Sequence, residues 1–291
     1  MLTQQIVNGI MLGSTYALIA ISYTLIMGIL DKLNFAVGEV FMLGAYLSMT
    51  FIVSGLPLWA AMLLGVLCAG LLNLVVERFS FRPLRNAPPL IPLVSTIGFS
   101  ILFQNVAENL WSSEKIPFPE TFEIRTFEFG SVFVTSVQFF ILGLSVLLIV
   151  LLDLFIQRTR MGRGMRAVAE NQETAGILGV DSNRVIVASF FISGVLAGAS
   201  GILFALRFFL IWPQMSIDTA LKGIAAMVIG GLGNVRGAIV GGLILGLTEI
   251  MSVAYLSASY RDVFIYSLLF AALIWRPQGV LGGPAVARRR V

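Results

Sequence analysis

Apolar residues run in stretches of about twenty, one after another along the chain, with polar residues gathered between them. Stretches of that length suit a helix rising about 1.5 Å per residue through a hydrocarbon core of about 30 Å. They lack the two-residue alternation of barrel strands, and backbone groups in lipid must be satisfied within each segment. The pattern predicts spans over 6–30, 35–53, 57–76, 90–110, 133–156, 185–210, 220–232, 237–257 and 262–275. The seventh is short for a crossing, and Gly230, Gly231, Gly233 and Gly237 break it from the eighth. A broken or re-entrant helix fits there. The expected fold is all-α, a single transmembrane domain over 1–291 with eight to ten spanning or re-entrant helices. The first run is polar at Asn8, Ser14, Thr15 and Tyr16 and has no basic leader, so it is expected to be a retained span.

Composition agrees. The chain is 58% hydrophobic and 12% charged, with a mean hydropathy of +0.94. Soluble domains carry roughly twice that charged fraction. The net charge of +4 comes from arginines placed in loops, where they report orientation rather than nucleic-acid binding. Arg78, Arg82 and Arg85 mark one cytoplasmic loop, and Arg158, Arg160, Arg163 and Arg166 a second. Arg276 with Arg288, Arg289 and Arg290 puts the C-terminus on the same side. The loop 111–132 carries Glu114, Glu120, Glu123 and Glu128 and fits the outer face. Counting back through three spans then puts the N-terminus outside.

Several chemistries find no residues. There is no histidine, and Cys68 sits alone in an apolar run as a packing residue. No lysine follows a glycine, which rules out a phosphate-binding GxxxxGK[ST] loop. HExxH, CxxC and GxSxG are absent too, leaving an intramembrane enzyme unsupported.

The loop 157–184 is unusual. It holds five arginines and a short Ala/Glu/Gly helix pattern over Met165–Gly179, closed by Gly179 and followed by Asp181. A rigid helix wedged between two spans suits a membrane protein driven by a separate soluble motor. A secondary transporter or channel would leave it unexplained. That rival would also need an ion-coupling site, where the sequence offers isolated acids without basic partners.

Polar groups inside spans are the sharper clue, since an ionisable side chain at mid-membrane costs about 2.5–3.5 kcal/mol on insertion scales. Asn34, Glu39, Gln104, Asn105 and Glu249 are the candidates for lining a pathway, with Glu108 beside Gln104. For Asn34 and Glu39, helix capping and interhelical bonding compete with substrate contact. Small residues at Gly9 and Gly13, Gly38 and Gly44–Ala45, Gly194 to Gly201, and Gly237 to Gly246 predict close helix packing. The stretch Gly230–Gly242 reads as a sharp turn carrying an inward Arg236. AYLS occurs at Ala45–Ser48 and Ala254–Ser257, after Glu39 and Glu249, which leaves duplication and chance both open.

Together GIMLGSTYALIAISYTLIMGIL (9–30), NFAVGEVFMLGAY (34–46), ERFSFRPLR (77–85), LVSTIGFSILFQN (93–105), MGRGMRAVAENQETAGILGVDSNRV (161–185), VIGGLGNVRGAIVGGLILGLTE (228–249) and RPQGVLG (276–282) cover the chain in order. They resemble the shorter of the two paralogous permeases in high-affinity branched-chain amino-acid ABC importers. One departure is Val37, where that family usually has histidine.

The resemblance implies a permease in the bacterial inner membrane, paired with a homologous permease and contacting lipid but no nucleic acid. Two cytoplasmic ATPases, which hold the ATP and Mg, and a periplasmic binding protein complete the expected assembly. The resemblance implies no cofactor and no catalysis in this chain itself. The resemblance also makes Met165, Arg166, Ala169, Glu170, Ala175, Gly176 and Gly179 the expected ATPase-coupling residues. Branched-chain or related apolar amino acids are the expected solute, with urea, short amides or another small polar solute as the alternative.

Overall fold

The structure, a computed structural model, describes residues 2–85, 87, 88, 90–119, 125–129 and 132–282. Glu120 and Glu123 of the acidic loop and Arg288, Arg289 and Arg290 therefore lie outside the described residues. The helices are α1 (Leu2–Leu30), α2 (Val37–Val53), α3 (Leu58–Val76), α4 (Leu90–Leu110), α5 (Ser136–Arg158), α6 (Arg160–Glu170), α7 (Gln172–Ile177), α8 (Ser182–Phe208), α9 (Met215–Gly230), α10 (Val235–Tyr255) and α11 (Arg261–Trp275). Among the described residues, seven helical stretches are long and apolar enough to cross a membrane. The helix α2 has 17 residues and α9 has 16, about 24 Å for the latter. The shortness expected of the seventh span is real, but that helix starts five residues before the predicted 220. It ends at Gly230 because Gly231 (φ 122°) and Gly233 (φ 77°) take left-handed conformations closed to other residues.

The helix α1 is apolar on all faces and is buried almost continuously from Met11 to Ile26, so it forms the centre of the bundle. It packs chiefly on α10, α8 and α9. Small residues allow this. A Cβ on Gly242 would stand 2.5 Å from Ala17 N, and one on Gly44 would stand 2.5 Å from Gly198 Cα where α2 crosses α8. Gly246 lies against the Gly13 backbone. Gly246→Leu is therefore expected to separate α10 from α1 and destabilise the bundle by roughly 1–3 kcal/mol through overpacking. A melting temperature unchanged in detergent would refute that packing.

The loops sort onto two faces. On one, Lys32 Nζ from the α1–α2 connection donates to the carbonyls of Leu84 (3.2 Å), Arg85 (2.8 Å) and Ala87 (3.3 Å) after α3. Partial burial there lowers the Lys32 ammonium from its ordinary pKa. The end of α1, at Ile29 and Leu30, shares a cleft with Val168 to Glu173 of α6 and α7. The α9–α10 turn joins this face through Gly233 against Gly28, and Asn234 Nδ2 donates to Leu281 O at 2.6 Å.

On the opposite face, Gln4 bonds Phe133 through both its amide atoms, at 2.9 and 2.7 Å. Phe133 belongs to a hairpin of β2 (Thr126–Phe129) and β3 (Val132–Thr135). There β1 (Ile116–Pro117) also pairs antiparallel with β4 (Leu210–Ile211), tying the α4–α5 loop to the α8–α9 loop. These strands were not foreseen, being too short to show an alternating pattern. Arg236 was expected to point inward. It is instead mostly exposed, 3.7 Å from Asp153 Oδ1 of α5. The two AYLS segments are not equivalent, one lying inside α2 and the other at the exposed end of α10.

Candidate functional site

Between α5 and α8 the chain forms an elbow of two helices rather than the single one expected over Met165–Gly179. Asn171 breaks it, with extended backbone (φ −158°, ψ 113°) and its Oδ1 accepting from Thr174 N at 2.9 Å. Asparagine favours this capping geometry over a helix interior, which is why the break falls there.

The first arm, α6, is seated on the bundle. Its cap Thr159 accepts from Gly162 N at 2.9 Å, Arg166 donates to Ile156 O, and Met165 and Val168 are buried. Gly162 lies against Ile156 O and Phe155 O, so α6 is locked to the end of α5. Ala169 and Glu170 end this arm, and Glu170 lines the cleft beside Leu30.

The second arm, α7, projects. Ala175 is buried, but a Cβ on Gly176 would meet nothing within 4 Å. Gly179, at φ 85°, turns the chain so that Val180 N donates to Ala175 O at 2.9 Å. Asp181 then caps α8 through the N–H groups of Asn183 and Arg184, both at 3.1 Å. The tip presents Ile177 and Leu178, 82% and 77% exposed. Sequence reading passed over these two. The signal was the pair of adjacent large apolar residues between two glycines of the loop.

The candidate interior residues fall into three groups, which the fold does not bring together at one point. Asn34 Nδ2 donates to Asn73 Oδ1 at 3.2 Å, Asn73 Nδ2 donates to Phe190 O at 2.7 Å, and Asn34 Oδ1 accepts from Ala36 N. This network bridges the α1–α2 connection, α3 and α8. Val37 beside it is fully buried in the apolar core.

Glu39, 1% exposed, accepts from Ser100 Oγ of α4 at 2.9 Å. Farther along α4, Gln104 Nε2 donates to Glu108 Oε1 at 3.2 Å. Asn105 is exposed and bonds only its own helix, at Ile101 O.

Glu249 is not an isolated acid, contrary to expectation. Lys222 Nζ of α9 lies 3.0 Å from its Oε1 and 3.2 Å from its Oε2, and Tyr16 OH of α1 donates to Oε2 at 2.8 Å. Lys222 and Glu249 are each 5% exposed. Arg261 Nε at 3.6 Å from Glu249 and Asp262 at 4.0 Å from Lys222 extend the cluster to α11. Lys222 and Glu249 are 27 residues apart, so no local pattern announces the pair. The pair ties α9 to α10, and Tyr16 joins α1 to it.

Residues 5–273 match the family described as branched-chain amino acid transport system / permease component. The chain belongs to this permease family. It is 39% identical, over 98% of its length and 97% of the relative's, to the high-affinity branched-chain amino acid transport system permease protein LivH of Escherichia coli strain K12. BraD of Pseudomonas aeruginosa, with the same description, is 38% identical over the same shares. The D-allose transport system permease protein AlsC of Escherichia coli is 27% identical over 83% of this chain and 74% of its own. Among solved structures, PsaBC from Streptococcus pneumoniae in complex with Fab matches with a TM-score of 0.51 and 13% identity, covering 95% of this chain and 91% of that one. That likeness places the permease in the same helical fold. It is a multi-pass membrane protein of transport permease type.

Proposed function

We propose that this permease is the membrane subunit of an ATP-driven ABC importer for branched-chain or related apolar amino acids in a bacterial inner membrane. The observation that carries the reading is the elbow. One arm is bolted to the bundle, and the other holds Ile177 and Leu178 out into solvent at a face where Arg78, Arg82, Arg85, Arg158, Arg160, Arg163, Arg166 and Arg276 gather. Arginine-rich short loops favour the cytoplasmic side, which puts the C-terminus there and the β2–β3 hairpin outside. Two exposed apolar side chains among charges suit insertion into a partner's groove.

The partners under this reading are a homologous permease, two ATPases on the elbow face and a binding protein that delivers solute to the opposite face. ATP and Mg belong to the ATPases, and this chain performs no covalent step. Closure of the ATPases on ATP would push α7, and α6 would pass the movement to α5, α1 and α8 as one rigid piece. Names of the relatives that are about 38% identical over nearly the whole chain support amino acids as solute. The allose relative, at lower coverage, supports the wider permease class only.

Purification of the tagged chain from solubilised membranes tests this. A second permease and an ATPase pair should accompany it, and proteoliposomes of that complex with its binding protein should take up leucine on ATP. Recovery of this chain alone would overturn the importer reading.

A further inference from the structure

A row of polar groups runs along α4 where it faces α2 and the neighbouring loops. Thr96 Oγ1 accepts from Phe35 N at 3.2 Å, and Ser100 Oγ donates to Glu39 at 2.9 Å. Gln104 and Gln214 both donate to Glu108 Oε1, at 3.2 and 3.3 Å, and Trp111 Nε1 donates to Thr50 Oγ1 at 2.8 Å. On α4 these groups recur every four residues, at 96, 100, 104 and 108, which is one helix face.

Glu39 lies in the middle of this seam and is incompletely satisfied. Its Oε2 is buried with no hydrogen-bond partner, and among the described residues it has no ion-pair partner. Ser216 of α9 faces the carboxylate, but its hydroxyl donates instead to Pro213 O at 2.9 Å. Among the described residues the Tyr23 hydroxyl, 3.5 Å from a Cβ placed on Gly38, also has no hydrogen-bond partner, and neither does Tyr46 OH two turns along α2. All three residues are 1% exposed or less. Buried polar groups are nearly always paired, so the unpaired Glu39 oxygen in this seam is open to a donor that arrives from outside. Glu249, with lysine and tyrosine on it, shows what a completed site looks like in this bundle.

The wall of the seam is also lightly packed. Of the 21 residues of α4, only Pro92, Thr96, Phe103 and Ala107 are buried. Its separation from α2 would break few apolar contacts.

We propose that Glu39 receives the ammonium group of the transported amino acid when α4 moves away from α2. The carboxylate supplies charge and Ser100 orients it. This rests on the amino-acid importer reading above.

The test uses the complete complex in proteoliposomes. Glu39→Gln keeps shape and hydrogen bonding but removes charge, and is expected to lower leucine uptake at least ~10-fold. Glu39→Asp should stay within ~3-fold. The recovery and melting temperature of both complexes should match wild type. Uptake by E39Q close to wild type would overturn the assignment and indicate that a neutral acceptor suffices, as for an uncharged amide. Loss of uptake matched by loss of assembled complex would overturn it in favour of packing. An independent arm labels Ser100→Cys with a membrane-impermeant cationic thiol reagent. Labelling should appear only with loaded binding protein and ATP present, and its absence in every state would refute the opening of the seam. A wild-type complex that takes up no leucine overturns the functional reading itself; one that does, with E39Q equally active, overturns only Glu39.

Discussion

Lys222→Met is expected to destabilise the bundle by about 3–5 kcal/mol, the usual effect of removing one partner of a buried ion pair. The cause is what remains. Glu249 would keep its buried place with the Tyr16 hydroxyl and Arg261, the latter 3.6 Å away and itself partly exposed. An ionised group that loses its closest counter-charge in the membrane interior is an unfavourable arrangement for a span. The double variant K222M/E249M should recover most of the loss, since it removes the stranded charge together with its partner. Melting of the purified complex in detergent, taken as a double-mutant cycle, reads this directly. Equal loss in the single and double variants would mean that the side chains matter for shape and not for charge. The pairing also changes what Glu249→Ala can show. Uptake and assembly should fall together, because the substitution strands Lys222; selective loss of uptake would restore Glu249 as a pathway residue.

Ile177→Asp and Leu178→Asp should each weaken ATPase association by ~30-fold or more, corresponding to the ~2 kcal/mol typical of a central interface anchor. Neither change should move the melting temperature of the permease, because both side chains project into solvent. Co-purification of the ATPases at increasing salt, with ATP hydrolysis stimulated by loaded binding protein, provides the readout. Undiminished recovery from both variants would remove α7 from the coupling surface. The same assay on Glu170 variants asks whether the first arm takes part, as Glu170 lies at the junction rather than at the tip.

Span positions were legible in the sequence because apolar length is dictated by the membrane, and a run near twenty residues admits few other structures. The loops sort as the arginines indicated, since Lys32, the α6–α7 elbow and the α9–α10 turn all meet on one face. Small-residue spacing likewise foretold the tight α1–α10 contact at Gly13 and Gly246. These are local or periodic properties, carried by neighbours in the chain.

The site was legible only in part. Composition marked Glu39 and Glu249 as costly wherever they lay, but it could not distinguish a paired acid from an unpaired one. That distinction depends on Lys222 reaching Glu249 across 27 residues while no cation among the described residues reaches Glu39. The break at Asn171 and the inward seating of Met165 and Val168 depend on the packed surface beneath them. By itself the sequence determined that the chain crosses a membrane many times, which loops share a side, and where small residues admit close packing, because solvent, charge and side-chain size act residue by residue. Only the tertiary structure decided which buried charge is neutralised, which is left open, and which two side chains reach the solvent, because those follow from distances between segments far apart in the chain.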